Sequence, residues 1–242
     1  MTITEEQKQI SYDPRLEELF RAGVQFGYAR TRRHPRMREY IAGVKSNIEI
    51  LSLDRVFESL ETALTYLEEL GKIGAAVMWV GTKPAASLVV KRIAEELGHP
   101  YVDGRWLGGT ITNFDVIRKR VTHWQDLVAK KNSGELEKYT KQERLMIQRE
   151  TERLESMFAG LLTYTALPKA MFVVDTKEEA IAIAEAGHKQ IPVIGLMNTD
   201  CDPHSAAYPI PGNDNAPESI SLILEKAKAA YLRGKQSVPD GN

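Results

Sequence analysis

A single cysteine, Cys201, in 242 residues excludes an intrachain disulfide, and no His/Cys group has the spacing of a structural zinc site. The fold must therefore be held by a packed core in a reducing compartment. No apolar window approaches the roughly 18 residues that span a bilayer, and the stretch from Met1 to Ser11 lacks the apolar centre of a signal peptide. The chain is expected to stay in the cytoplasm and off the membrane. A net charge of −1 argues against the globally basic character of many nucleic-acid binders, so any such contact must come from a local patch. Catalytic signatures are missing as well: there is no G-x-S-x-G, no H-E-x-x-H and no Ser-x-x-Lys. An enzyme reading has only the fold to stand on, and no metal or other cofactor is called for.

What is present is a chain 43% hydrophobic, long enough for one substantial core with an insertion. The runs Ala75–Val80, Ala170–Val174 and Pro192–Leu196 are short, β-rich and almost continuously apolar, as parallel strands buried on both faces are. Helical patterns over Asp54–Leu70, Pro84–Leu97, Lys177–His188 and Ala216–Arg233 lie between and after them. This alternation predicts βαβ units and a doubly wound α/β sheet with helices on both faces. Tyr40–Ala42 and Asn47–Leu51, flanking Gly43–Ser46, read as a separate hairpin. Between Asp115 and Leu161 the period changes. Ile117, Val121, Trp124 and Val128, then Ile147, Leu154, Phe158 and Leu161 with a polar Thr151, follow helical spacing on either side of Asn132-Ser133-Gly134. An antiparallel helical hairpin is expected there. The division is thus a discontinuous α/β domain, 1–114 and 162–233, an inserted hairpin, 115–161, and a flexible tail, 234–242.

Charge is uneven along the chain. From Arg15 to Lys45 seven arginines and one lysine face only Glu17, Glu18 and Glu39. Within that stretch Arg30–Arg38 has no acid, is broken by Pro35 and lacks helical period, so an extended arm on phosphates is as good a reading as a solvated face. Val80-Gly81-Thr82-Lys83 ends a strand before Pro84. Its amides and Lys83 suit a phosphate, but neither glycine-rich nucleotide fingerprint is there, and ordinary turn chemistry explains it too. In Arg105-Trp106-Leu107-Gly108-Gly109-Thr110-Ile111-Thr112-Asn113-Phe114 two readings stand open. One is a packed loop with Trp106 in the core and Thr110 or Thr112 capping the inserted helix. The other is an RNA contact through Arg and Trp. The acids and thiol at Asp200-Cys201-Asp202 read first as a turn, with a divalent ion near Asp200 left open. Asp214 or Asn215 is a candidate helix cap.

Taken in order, several segments resemble the bacterial family of the second small-subunit ribosomal protein. They are Leu19–Gly27, Pro35-Arg36-Met37, Val80–Lys83, Arg105–Phe114, Leu167–Asp175, Ile191–Ile194 and Ile210–Asp214. The resemblance implies a flavodoxin-like α/β domain with an inserted antiparallel coiled-coil hairpin. It implies no catalysis, no homo-oligomer, binding to small-subunit ribosomal RNA, and a docking surface for the large mRNA-binding ribosomal protein. In that light Arg30, Arg32, Arg33, Arg36, Lys45, Lys83, Arg105 and Asn113 are the RNA-contact candidates. Gln25 and Tyr28 stand where the family usually has histidines, and Pro84 where it commonly has a basic residue. The alternative reading is a nucleotide- or phosphate-binding α/β enzyme.

Overall fold

A computed structural model describes residues 14–237. Helix α1 (Pro14–Arg21) leads into a small antiparallel sheet of β1 (Phe26–Ala29), β2 (Ile41–Lys45) and β3 (Ile48–Leu51), in the order β1-β3-β2. Two 3-10 turns, Arg30–Arg32 and Pro35–Tyr40, join β1 to β2. The hairpin turn sits at Ser46-Asn47 rather than Gly43–Ser46. Both residues have positive φ, 50° and 65°, which matches the right-handed twist of the strands and lets β2 continue through Gly43 to Lys45.

The main sheet is assembled from α2 (Leu53–Lys72), β4 (Val77–Val80), α3 (Pro84–Leu97), β5 (Tyr101–Val102), β6 (Ala170–Val174), α6, β7 (Val193–Met197), β8 (Tyr208–Pro211) and α7 (Pro217–Ser237), with α6 spanning Ala180–His188. Between β5 and β6 lie α4 (Phe114–Asn132) and α5 (Lys141–Phe158). The strands are all parallel and ordered β5-β4-β6-β7-β8, the flavodoxin-like order, with its switch point between β4 and β6. Alternate residues divide the core into two. Val77, Trp79, Phe172, Val174, Ile194 and Leu196 pack against α2, α3 and α7. Met78, Val80, Met171, Val173, Val193 and Met197 pack on the other face with residues of α4, α5 and α6.

Local chemistry explains the boundaries. Pro84 starts α3 at a position that needs no N–H, and Gly98 at φ 68° ends it. Thr140 and Glu143 form a reciprocal capping box on α5. α6 starts three residues later than the expected Lys177, because Asp175, at φ 67°, turns the chain and its Oδ1 accepts the amides of Lys177 and Glu178. Strands β5 and β8 escape sequence patterning: one has two residues, and the other is Tyr-Pro-Ile-Pro on the sheet edge, where proline is tolerated. In the segment between β5 and β6, Ile117, Val121, Trp124 and Leu127 are buried on α4, and Thr151, Leu154 and Phe158 on α5. Thr151 is accommodated by donating its hydroxyl to Ile147 O at 2.8 Å. His123 Nε2 lies 3.8 Å from Glu150 Oε1, near the middle of each helix.

Helix α7 runs to Ser237, so residues 234–237 of the segment expected to be flexible are helical; residues 238–242 lie outside the described residues. The reason is close packing. A Cβ at Gly234 would collide with Glu68 O, and one at Gly71 with Tyr231 O. The α2 and α7 backbones meet at these two glycines. Gly234→Ala is expected to destabilise the protein by about 3 kcal/mol, at the upper end of overpacking costs because backbone cannot yield as a rotamer can. A urea midpoint unchanged from wild type would refute this packing.

His99, under the same helices, accepts from Trp79 Nε1 at 3.2 Å and meets the Tyr231 ring edge-on. Burial, with a smaller contribution from Lys235, lowers its pKa to about 4. A depressed pKa gives stability that is complete above the unfolded value of about 6.5 and is lost as pH falls through about 4. Wild type is expected to lose about 3 kcal/mol more than His99→Gln over that window, as pH-dependent urea unfolding would measure.

Candidate nucleic-acid interface

The loops after β4, β6, β7 and β8 converge at one sheet edge, and ion pairs fill it. Lys83 Nζ pairs with Asp175 and with Asp214 Oδ2, the latter at 3.1 Å, and donates to Asn215 Oδ1 at 3.2 Å. Asn198 donates to Asp214 Oδ1 at 3.0 Å, and Glu179 accepts from the Thr82 amide and hydroxyl. Although burial opposes its charge, Asp214 and Asp175 hold the Lys83 ammonium well above the usual lysine range. Burial, together with the Asp175 charge, pushes Asp214 up to about 6 in spite of Lys83. Asp175, also buried, is drawn below the usual carboxylate range by Lys83 and by the amides of Glu178 and Lys177. An anion at this switch point would have to displace two carboxylates from Lys83. The turn that read as a phosphate cradle is neutralised from within.

Asp175, Cys201 and Asp214 also bring one ligand atom each within 4.8 Å of one another. Lys83 stands in the cation's place against both carboxylates. The Cys201 thiol, pushed up to about 12 chiefly by burial, stays protonated. Asp214 serves as the partner of Lys83 rather than a helix cap; it is Asn213 Oδ1 that accepts the amides of Asn215 and Ala216.

The Arg30–Arg38 segment docks on the same edge instead of extending. His34 N donates to Thr199 O at 2.8 Å. Arg32 reaches Asp200 at 3.1 Å and covers the Tyr28 ring, Arg33 reaches the fully buried Glu49 at 3.2 Å, and Arg36 reaches Asp202 at 2.7 Å. Tyr28 itself donates to Asn215. Arg32, Arg33, Arg36 and Lys83 are thus brought together, each with its own carboxylate. Among the described residues, Arg30, Arg38, Lys45 and Arg105 are exposed with no carboxylate partner.

Arg105–Phe114 has a separate anchor. Glu185 of α6 accepts from Trp106 Nε1 and the Gly109 amide through Oε1, and from the Ile111 and Thr112 amides and the Thr112 hydroxyl through Oε2. Burial alone would raise this carboxyl; the donors more than offset it and hold it below the usual range. Neither threonine caps α4. Thr110 donates to Leu107 O, Thr112 to Glu185, and Asn113 holds the cap position with no side-chain cap bond. Trp106 is buried and Arg105 exposed. Exposed Asn113 lines a hollow of about 370 Å³ with Arg120, Val116 and Met157.

Sequence reasoning found the cations and missed their pairings: nothing local links Arg33 to Glu49 or Lys83 to Asp175. The near-zero net charge was the available signal, since a basic segment in a neutral chain needs acids somewhere.

A family model described as ribosomal protein S2 matches residues 19–234. Small ribosomal subunit protein uS2 of Thermus thermophilus is 41% identical over 92% of this chain and 87% of the relative. The same-named proteins of Coprothermobacter proteolyticus and Helicobacter hepaticus are 39% and 37% identical, over 91% and 93% of this chain and 82% and 85% of theirs. With the parallel five-stranded order, and a match running almost end to end, the chain belongs to the ribosomal protein S2 family.

Proposed function

We propose that this chain is a structural, non-catalytic constituent of the small ribosomal subunit that binds small-subunit ribosomal RNA and helps dock the large mRNA-binding ribosomal protein. The observation that carries the reading is the family match over residues 19–234; Lys83 at the switch point is already engaged by Asp175 and Asp214. The discontinuous division 1–114 and 162–233 around a coiled-coil hairpin at 115–161 belongs to the same reading, with the hairpin as an arm projecting from the α/β domain. A cytoplasmic, monomeric protein that acquires its order of partners in the assembled subunit follows.

The RNA-contact candidates separate by partner. Arg30, Lys45 and Arg105, joined by Arg38, offer their charge to phosphates at no cost to the fold. Arg32, Arg33, Arg36 and Lys83 would each have to leave or share a carboxylate. Asn113 adds a neutral contact in the hollow that it lines with Arg120. Full-length protein is expected to co-sediment with small subunits at low salt and be released as salt rises. Removing each free cation is expected to reduce the slope of log affinity against log salt by roughly 0.7 to 0.9, whereas Arg33→Ala reduces stability and leaves that slope nearly unchanged. Absence from ribosomal fractions at both salts would reject the reading.

A further inference from the structure

The small antiparallel sheet turns Glu49, which is fully buried, and Leu51, at 1% exposure, toward the body of the protein. Gly27 on that side is so close that a Cβ would strike Thr199. The opposite side is partly open, with Ala29 and Ile50 half-buried on it. Register pairs Phe26 with Ile50 and Ile50 with Gly43, and the next row pairs Ala29 with Ile48 and Ile48 with Lys45. Phe26 is 45% exposed and Ile48 42%, and nothing lies within 4 Å of the Cβ position of Gly43. An aromatic ring and a β-branched side chain thus stand exposed on this face, with open space beside them at Gly43.

Cations without partners surround this face. Lys45 ends β2 across from Ile48, and the Arg30 amide bonds to Asn47 O at the hairpin turn. Arg38 precedes β2, its carbonyl accepting from Ile41. The acid of the sheet, Glu49, lies on the other side and is paired with Arg33. An apolar, aromatic surface edged by unpaired cations complements a nucleic-acid strand whose bases are unstacked. Aromatic rings on a sheet hold the π-faces of such bases, and the flanking cations meet the phosphates. A duplex would offer only its phosphates and would leave Phe26 unused.

We propose that the exposed face of β1-β3-β2 holds one unpaired nucleotide of small-subunit ribosomal RNA, its base stacked on Phe26 and its phosphates met by Arg30 and Lys45. This rests on the RNA-binding reading above and assigns it a single-stranded subsite.

The test is filter binding of a small-subunit ribosomal RNA transcript to full-length protein across a salt series, with ultraviolet cross-linking followed by mass spectrometry. Phe26→Ala is expected to weaken binding about 5- to 150-fold, the range for loss of one stacked base, with an unchanged salt slope. Phe26→Tyr should bind like wild type, and a nucleotide adduct should map to Phe26. If Phe26→Ala unfolds, Phe26→Leu supplies the measurement, keeping apolar area while losing the ring, with the same expected loss. Wild-type affinity in a folded Phe26→Ala or Phe26→Leu variant overturns the stacking subsite while leaving RNA binding intact. Unchanged RNA affinity combined with failed incorporation into subunits overturns it too and makes the face a protein contact. Absence of salt-dependent RNA binding by wild type overturns the RNA-binding reading itself.

Discussion

Glu185→Ala is expected to lower stability by about 4 kcal/mol, with a fall in Tm of about 8–16 °C for a chain of this size. The carboxylate is 7% exposed and accepts from three backbone amides, the Trp106 indole and the Thr112 hydroxyl. Alanine leaves these donors without an acceptor, and water can reach only some of them. Glu185→Gln is expected to cost about half as much, because one carboxylate oxygen becomes an NH₂ that faces donors. The pH dependence has a fixed sign. A carboxyl held below its ordinary pKa contributes stability that is present above the unfolded value of about 4.3 and is lost as pH falls through the lowered folded value. The gap between wild type and Glu185→Ala should therefore narrow in acid. Urea unfolding at pH 7 and at pH 3.5 measures both effects. Equal stability of wild type and Glu185→Ala at pH 7 would mean that the loop does not depend on this anchor.

The same carboxylate explains why the run from Arg105 to Phe114 has so distinctive a sequence. Gly109 adopts φ 93°, the hydroxyl of Thr112 shares Oε2 with its own amide, and Trp106 supplies the indole donor. Most of the motif serves to wrap the chain around Glu185 where the sheet gives way to α4. That leaves Arg105 and Asn113 facing outward. A motif can thus identify a family through residues that have no direct part in binding.

How far the sequence exposed the fold depended on whether the deciding interaction was local. The bounds of α3 coincide with the predicted Pro84–Leu97 because Pro84 and Gly98 punctuate it. β6 coincides with its apolar run because every residue in it is buried. By contrast, no strand was expected at β8, since its strand identity comes from lying next to β7. The end of α7 was misplaced because Gly234, a helix breaker by propensity, is required there by the α2 backbone. The site follows the same division. The basic segment could be seen in sequence, but Arg32 meets Asp200 and Arg36 meets Asp202 across more than 160 residues, and one sequence carries no sign of such pairings. Composition alone therefore could not tell which of these cations already face a carboxylate.

Lys83 makes that distinction measurable. Lys83→Met is expected to destabilise the protein by about 3–5 kcal/mol at pH 8, the cost of leaving buried carboxylates without their counter-ion. Asp214 is fully buried, and the side chain of Asp175 is 9% exposed. In wild type the raised Asp214 group contributes stability that is complete below about 3.8 and is lost as pH rises through about 6. Without the ammonium its pKa rises further, so the cost of Lys83→Met should grow with pH above that point and shrink below it as Asp214 takes up a proton. The double variant Lys83→Met/Asp214→Asn removes the cation together with one acid and should recover most of the stability. RNA affinity then separates the two roles open to Lys83. If its charge is engaged by the carboxylates, the stabilised double variant binds RNA like wild type with the same salt slope. If Lys83 neutralises a phosphate, stability returns but affinity stays low and the slope remains smaller by roughly 0.7 to 0.9. The geometry predicts the first result, because the ammonium already lies against Asp175 and Asp214.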